Sequence, residues 1–138
     1  MDKISTLIDY IKSSKNTVFF CGAGISTESG LKDFRSKDGL YNQYDVRFEE
    51  YNPEYLLSND CLFRKPKVFY EFYRQKMDTR GIEPNITHIV LAKLEKAGKV
   101  KAVVTQNIDG LHQLAGSRNV YELHGTTFEA IDTITTHN

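Results

Sequence analysis

Thr17-Val18-Phe19-Phe20-Cys21 followed by Gly22-Ala23-Gly24 carries the strongest fold signal in the sequence. Five β-branched, aromatic and sulfur side chains with no polar alternation predict a short strand buried on both faces. The strand runs straight into Gly-x-Gly. Two residues without Cβ let a backbone approach a pyrophosphate closely, and a helix beginning there would offer it the positive end of its dipole. Taken alone, Gly-x-Gly is as readily a tight turn, and the third glycine of the usual dinucleotide fingerprint would fall at position 27, which is Thr27.

Upstream, Ile4, Leu7, Ile8 and Ile11 fall on one face of a helix opened by Asp2 and closed near Lys15-Asn16. Downstream, residues 28–50 are polar and aperiodic, with Gly30 and Gly39, and read as a long functional loop holding one short helix. Val68, Phe69, Phe72, Tyr73 and Met77 predict a helix entered through Pro66. A second helix is predicted over residues 85–97, with Gly98 as its stop. Val100 to Thr105 and Val120 to Leu123 read as two further strands. Strands separated by helical stretches predict an α/β fold with a parallel, Rossmann-like, doubly wound sheet. Residues 126–138 include five threonines and sustain no period, so they read as an atypical tail, disordered or foreign, after a domain spanning residues 1–125.

The composition narrows the function classes. In 138 residues, 18 basic side chains balance 18 acidic ones, which argues against a nucleic-acid module held by a basic face. No run of 18 apolar residues occurs, so no membrane partner is expected. Asp2, Lys3 and Asp9 interrupt the N-terminal apolar residues, unlike a signal peptide, and a cytoplasmic location is expected. Cys21 and Cys61, without CxxC spacing, provide neither a disulfide framework nor a zinc ribbon.

Several residue types carry chemistry. Phe34-Arg35 pairs an aromatic plate with a planar, permanently charged fork suited to pyrophosphate, although a core Phe beside a surface Arg is the bland alternative. Asn107 and Asp109 share one side of an extended stretch, where the ordinary reading is an Asx turn ending a strand. His88 and His137 read as ordinary surface or core histidines and His112 as a structural hydrogen-bonder. His124 follows a strand and precedes a glycine that leaves room for a ligand. That placement favours general-base work, since imidazole changes charge closest to neutrality.

Taken together, Gly22-Ala23-Gly24-Ile25-Ser26-Thr27-Glu28-Ser29-Gly30, Asp33-Phe34-Arg35-Ser36, Thr105-Gln106-Asn107-Ile108-Asp109-Gly110-Leu111-His112 and Glu122-Leu123-His124-Gly125 resemble the motifs of a sirtuin, the NAD-dependent protein deacylase family, in family order. Pro84-Asn85-x-x-His88 and Lys65-Pro66 match lesser family features. The resemblance implies that NAD is a co-substrate held by Gly22, Ala23, Gly24, Ser26, Thr27, Asp33, Phe34, Arg35, Gln106, Asn107, Ile108, Asp109 and His124. Gln106 and Asn107 would meet the ribose, Ile108 and Asp109 the carboxamide, and Phe34 the nicotinamide end. It further implies that the acyl-lysine oxygen displaces nicotinamide from the ribose and that His124 acts as catalytic base. The products would be free lysine, nicotinamide and O-acyl-ADP-ribose.

The same resemblance implies an acyl pocket at Tyr70 and Tyr73. Members that take dicarboxylic acyl groups carry Tyr-x-x-Arg. Here Tyr73 stands in the arginine's place and Arg74 follows one residue later, turned by about 100° on a helix, so acetyl-lysine of a protein is the expected substrate. Lys32 replaces a frequent proline. The family's zinc module and its later strands have no counterpart, so no metal ligand is assigned and the Rossmann-like domain reads as incomplete. A chain cut short, weak or inactive alone, is expected, with apolar strand edges left open. NAD hydrolysis or ADP-ribosyl transfer in the same pocket, or a non-catalytic interaction fragment, are the alternative readings.

Overall fold

A computed structural model of the chain describes residues 2–129. They divide into two units, one formed by residues up to Ile25 together with those from Glu83 onward, the other by Ser26–Ile82.

The first unit holds the sheet. Helix α1 (Lys3–Ser13) precedes strand β1 (Thr17–Cys21). Helix α5 (Ile86–Lys96) leads into β2 (Val100–Thr105), and the single turn α6 (Leu111–Leu114) leads into β3 (Val120–Glu122). The sheet is parallel in the order β1-β2-β3, with Phe19 opposite Val103, Cys21 opposite Thr105, and Thr105 opposite Glu122. This is a Rossmann-like α/β arrangement, as the alternation of strands and helices requires. Cys21, Leu91 and Val103 form its buried core, with Phe19 and Ile25 packed against them.

Burial along β1 departs from the sequence reading. Phe19 and Cys21 point inward, whereas Val18 and Phe20 are 55% and 66% exposed. Successive strand residues face opposite sides, and among the described residues only one side of this strand is covered. Helix α1 likewise forms where its period predicts, yet none of its residues is buried. Among the described residues β2 lies in the centre of the sheet and β1 at an edge.

Local chemistry explains where α5 starts and stops. Asn85 caps it by accepting the Thr87 N–H at 2.9 Å, while the His88 ring nitrogen Nδ1 accepts the Asn85 N–H at 3.3 Å. Gly98, at φ +74°, ends it in a conformation that favours glycine. The Asn85 side-chain amide also donates to the Ile25 carbonyl at 2.7 Å, tying the helix start to the residue that follows the glycine turn.

The second unit is helical. It contains α2 (Pro53–Leu56), α3 (Asn59–Arg64) and α4 (Pro66–Lys76), preceded by short 3-10 turns at Leu40–Asn42 and Val46–Phe48. The long loop therefore holds two short turns, and α2 and α3 add helical structure that residue period did not reveal. Phe48, Leu56 and Phe72 make the core of this unit, with the Phe48 and Phe72 rings edge to face at 5.2 Å. Pro53 and Pro66 each occupy a first turn, where a missing N–H costs nothing.

Of the segment read as a tail, Thr126 to Glu129 are described. Thr127 is bonded back to Ile108 through both its N–H and its hydroxyl. Residues 130–138 lie outside the described residues.

Candidate functional site

The C-terminal ends of the three strands bring Gly22, Gln106 and His124 into one row. The Gln106 N–H donates to the Cys21 carbonyl at 3.0 Å, carrying the β1–β2 ladder one residue past β2. The Leu123 N–H donates to the Thr105 carbonyl at 2.9 Å, which does the same for β3. His124 Nδ1 lies 3.0 Å from the Gln106 carbonyl oxygen. A carbonyl oxygen can only accept, so Nδ1 is the N–H donor, which makes Nε2 the lone-pair nitrogen of the neutral form of the ring. His124 is exposed, and Gly125 adopts φ +77° directly after it. In an open parallel sheet this edge is where ligands are held.

After Gly22, residues Ala23–Ser29 form a 3-10 stretch in place of the expected α-helix. A Cβ built on Gly22 would meet only Gln106 Nε2 at 3.8 Å, and one on Gly24 would meet nothing within 4 Å. Packing inside the chain therefore does not demand glycine at either position.

Residues 105–111 form a turn knitted by side chains. Thr105 Oγ1 accepts the Asn107 N–H at 3.0 Å. The Asn107 amide donates to Asp109 Oδ2 at 3.2 Å, and Asp109 Oδ1 accepts the Leu111 N–H at 3.0 Å. Asn107 and Asp109 thus come together as their spacing predicted, both buried, with the Asx turn present as well. Gly110 stands at φ +68°.

Behind this turn sit two histidines that the sequence reading set aside. The His88 and His112 rings meet at 4.8 Å between centroids, both fully buried. Among the described residues, neither His112 nitrogen nor His88 Nε2 has a hydrogen-bond partner, so the structure corrects the view of His112 as a hydrogen-bonder. Burial, then the neighbouring His88, pushes the His112 pKa down to about 4 against an upward pull from Asp109. Burial also lowers that of His88, again opposed by Asp109. The signal available in sequence was Pro84-Asn85-x-x-His88, whose asparagine and histidine cap the same helix.

The remaining predicted residues belong to the second unit and are placed within it. Ser26 is buried and Thr27 exposed, and the Thr27 carbonyl accepts the Gly30 N–H at 2.9 Å. Asp33 Oδ1 accepts both the N–H and the hydroxyl of Ser36, at 3.1 and 2.5 Å. Its carbonyl accepts the Leu40 N–H, and that of Phe34 accepts the Tyr41 N–H. The Phe34 ring lies 5.4 Å from Tyr41, and the exposed Arg35 guanidinium rides over the same Tyr41 ring at 5.9 Å. On α4, Tyr73 stacks on Phe69 at 5.8 Å, and burial raises its pKa. Tyr70 meets Phe69 edge-on at 5.4 Å and carries the Arg74 guanidinium over its ring at 6.0 Å. Arg74 thus lies on the face of Tyr70, one helical turn away, while Tyr73 turns to Phe69.

No group of three or more His, Cys, Asp or Glu among the described residues is arranged to hold a metal ion. Cys21 and Cys61, the two cysteines of the sequence, are both free and buried, and neither belongs to a cysteine pair of zinc-module spacing.

The family model described as the Sir2 family matches residues 22–138. Over 126 residues the chain is 55% identical to the NAD-dependent protein deacetylase of Clostridium perfringens, covering 91% of this chain and 50% of that protein. It is 45% identical over 136 residues to NAD-dependent protein deacylase 2 of Archaeoglobus fulgidus, covering 99% and 51%. The chain spans about half the length of the curated relatives it matches. A solved Sir2–p53 peptide–NAD+ complex superposes with a TM-score of 0.73 at 41% identity, over 91% of this chain and 47% of the other. The structure described as the basis for the mechanism and regulation of Sir2 enzymes gives 0.78 at 46% identity, over 91% and 47%. With the strand-end row, the Asn107–Asp109 turn and these likenesses in agreement, the chain belongs to the Sir2 family.

Proposed function

We propose that this chain carries the nicotinamide–ribose part of the NAD site, and the catalytic base, of an NAD-dependent protein-lysine deacetylase. The observation that carries the reading is the His124 ring, oriented by the Gln106 carbonyl so that Nε2 is left to accept a proton. NAD supplies the ribose that takes over the acetyl group; nicotinamide and then the lysine amine are the groups that leave, and one water is consumed.

The chain's own residues do the rest. Gly22 and Gly24, where an added Cβ would meet no close contact, admit the phosphates beside the start of the 3-10 stretch. Ala23, Ser26 and Thr27 line that approach, and Asp33, Phe34 and Arg35 supply a loop with an aromatic plate and a cation. Asp109 accepts the carboxamide N–H2 beside Ile108. Gln106 and Asn107 bind the ribose hydroxyls, and His124 Nε2 removes a proton from one of them, making it a nucleophile toward the acyl carbon. The acyl-lysine lies against Tyr70 and Tyr73. Because Tyr73 stands where members that take dicarboxylic acyl groups carry arginine, with Arg74 one residue further round α4, acetyl is preferred to acyl groups ending in a carboxylate. The reaction belongs in the cytoplasm, with an acetylated protein as partner.

The test is a mass spectrum of the purified chain incubated with NAD and an acetyl-lysine peptide, beside calorimetric titration with NAD. Measurable NAD binding with weak or no turnover is expected of the purified chain. Free nicotinamide with O-acetyl-ADP-ribose would establish deacetylation outright. ADP-ribose formed without peptide would select NAD hydrolysis, and a folded chain showing neither binding nor product would overturn the reading.

A further inference from the structure

We propose that Thr127 and Phe128 are positioning residues that clamp residues 108–110 and thereby hold the Asp109 carboxylate in its binding orientation; this rests on the reading of Asp109 as the carboxamide acceptor. The clamp has two jaws. The Ile108 carbonyl accepts the Thr127 hydroxyl at 2.9 Å and the Thr127 N–H at 3.3 Å. One residue further on, the Phe128 ring lies so close to Gly110 that an added Cβ would stand 2.5 Å from Phe128 Cε2 and 3.2 Å from Cδ2 and Cζ. Thr126 aims that ring, its hydroxyl oxygen accepting the Phe128 N–H at 3.3 Å.

Asp109 sits between the jaws. Its N–H shares a rigid peptide plane with the Ile108 carbonyl, so fixing that oxygen fixes one side of the Asp109 backbone. Holding Gly110 at φ +68° under the ring fixes the other side. With both sides set, the carboxylate keeps its two internal bonds, to the Leu111 N–H and the Asn107 amide. Phe128 is itself 68% exposed, so the ring buries little surface. Its consequence is local, at Gly110, more than a general contribution to stability.

The experiment compares Thr127→Val, Thr127→Ser and Phe128→Ala in the full chain. The exchange of the Leu111 amide, which reports the Asp109 Oδ1 bond, is followed by NMR, and nicotinamide and NAD affinities are measured by calorimetry. Loss of one partly buried hydrogen bond corresponds to a change of about fivefold to tenfold. Thr127→Val is expected to speed Leu111 exchange and weaken both ligands by that factor, and Thr127→Ser to restore both. Phe128→Ala is expected to speed the same amide while leaving the core Val103 amide protected. Unchanged Leu111 exchange in Thr127→Val and Phe128→Ala overturns the clamp. So does a uniform loss of protection that includes Val103, which would mark a merely structural role. If the unaltered chain binds no NAD, the functional reading fails, while Leu111 exchange still decides the clamp. Should Thr127→Val not fold, the Phe128→Ala comparison decides it.

Discussion

At the scale of single residues, His124 and Asp109 illustrate two ways of preparing a polar group. His124 is exposed and oriented by one bond from Nδ1 to a backbone carbonyl, which leaves Nε2 directed elsewhere. Replacing His124 with Gln keeps a polar side chain but removes the titratable base. In a complete-length protein bearing this chain, His124→Gln is expected to lower deacetylation by about 100-fold or more while NAD affinity changes little. Comparable losses in both would place His124 in binding instead. Asp109, by contrast, is buried and already holds two internal donors. Asp109→Asn replaces an acceptor oxygen with a donor that must face either the Leu111 N–H or the Asn107 amide. Stability is expected to fall by about 1–3 kcal/mol, read as a denaturant midpoint, together with weaker nicotinamide binding.

At the scale of elements, the loop carrying Asp33, Phe34 and Arg35 closes on itself through backbone bonds to Leu40 and Tyr41. The Asn42 side chain ties it further by donating to the Arg35 and Ser36 carbonyls at 3.2 and 2.6 Å. Gly39 makes this closure feasible through space and not through backbone strain. Its φ of −69° suits any residue, yet a Cβ would lie 2.7 Å from Asp33 Oδ1 and 2.8 Å from the Phe34 carbonyl atoms. Gly39→Ala is therefore expected to cost about 1–3 kcal/mol and to loosen the Phe34 backbone. Thermal unfolding with hydrogen exchange at Tyr41 checks both, and an unchanged midpoint would mean the loop yields freely.

At the scale of the whole molecule, the His88–His112 pair links stability to pH. The His112 pKa is lowered from the ordinary 6.5 to about 4, so the unfolded chain takes up a proton well before the folded chain does. Between those values the unfolded state binds more protons, and stability must fall as pH drops from about 6.5 toward 4, by roughly 3 kcal/mol in all. His88 and Asp109 are the titratable neighbours that act on His112. Asp45 and Asp78, each held near 2 by an adjacent arginine, lose their stabilising ionisation only at lower pH. Denaturant midpoints at pH 7, 5.5 and 4.5 check this. His112→Gln is expected to flatten the slope, and an equally steep slope in that variant would assign the effect elsewhere.

The strands, the helix of residues 86–96 and the order of the glycine turn, Asn107–Asp109 and His124 were legible in the residue pattern alone. Period, caps and turn chemistry are local, set by residues a few positions apart in sequence. The same locality brought Asn107 and Asp109 together, two residues apart on one turn. That β1 buries one face and β2 takes the centre was set by the tertiary fold, since Val18 to Cys21 are apolar enough for either side. The fold also decided the tautomer of His124, through a carbonyl 18 residues away, and set His88 and His112 face to edge across 24 residues of chain. The same holds for Thr127, which resembles any polar residue of a threonine-rich run until the fold lays it against Ile108. Contacts between residues distant in sequence depend on chain closure and on which surfaces remain to be covered, and residue spacing carries no record of either.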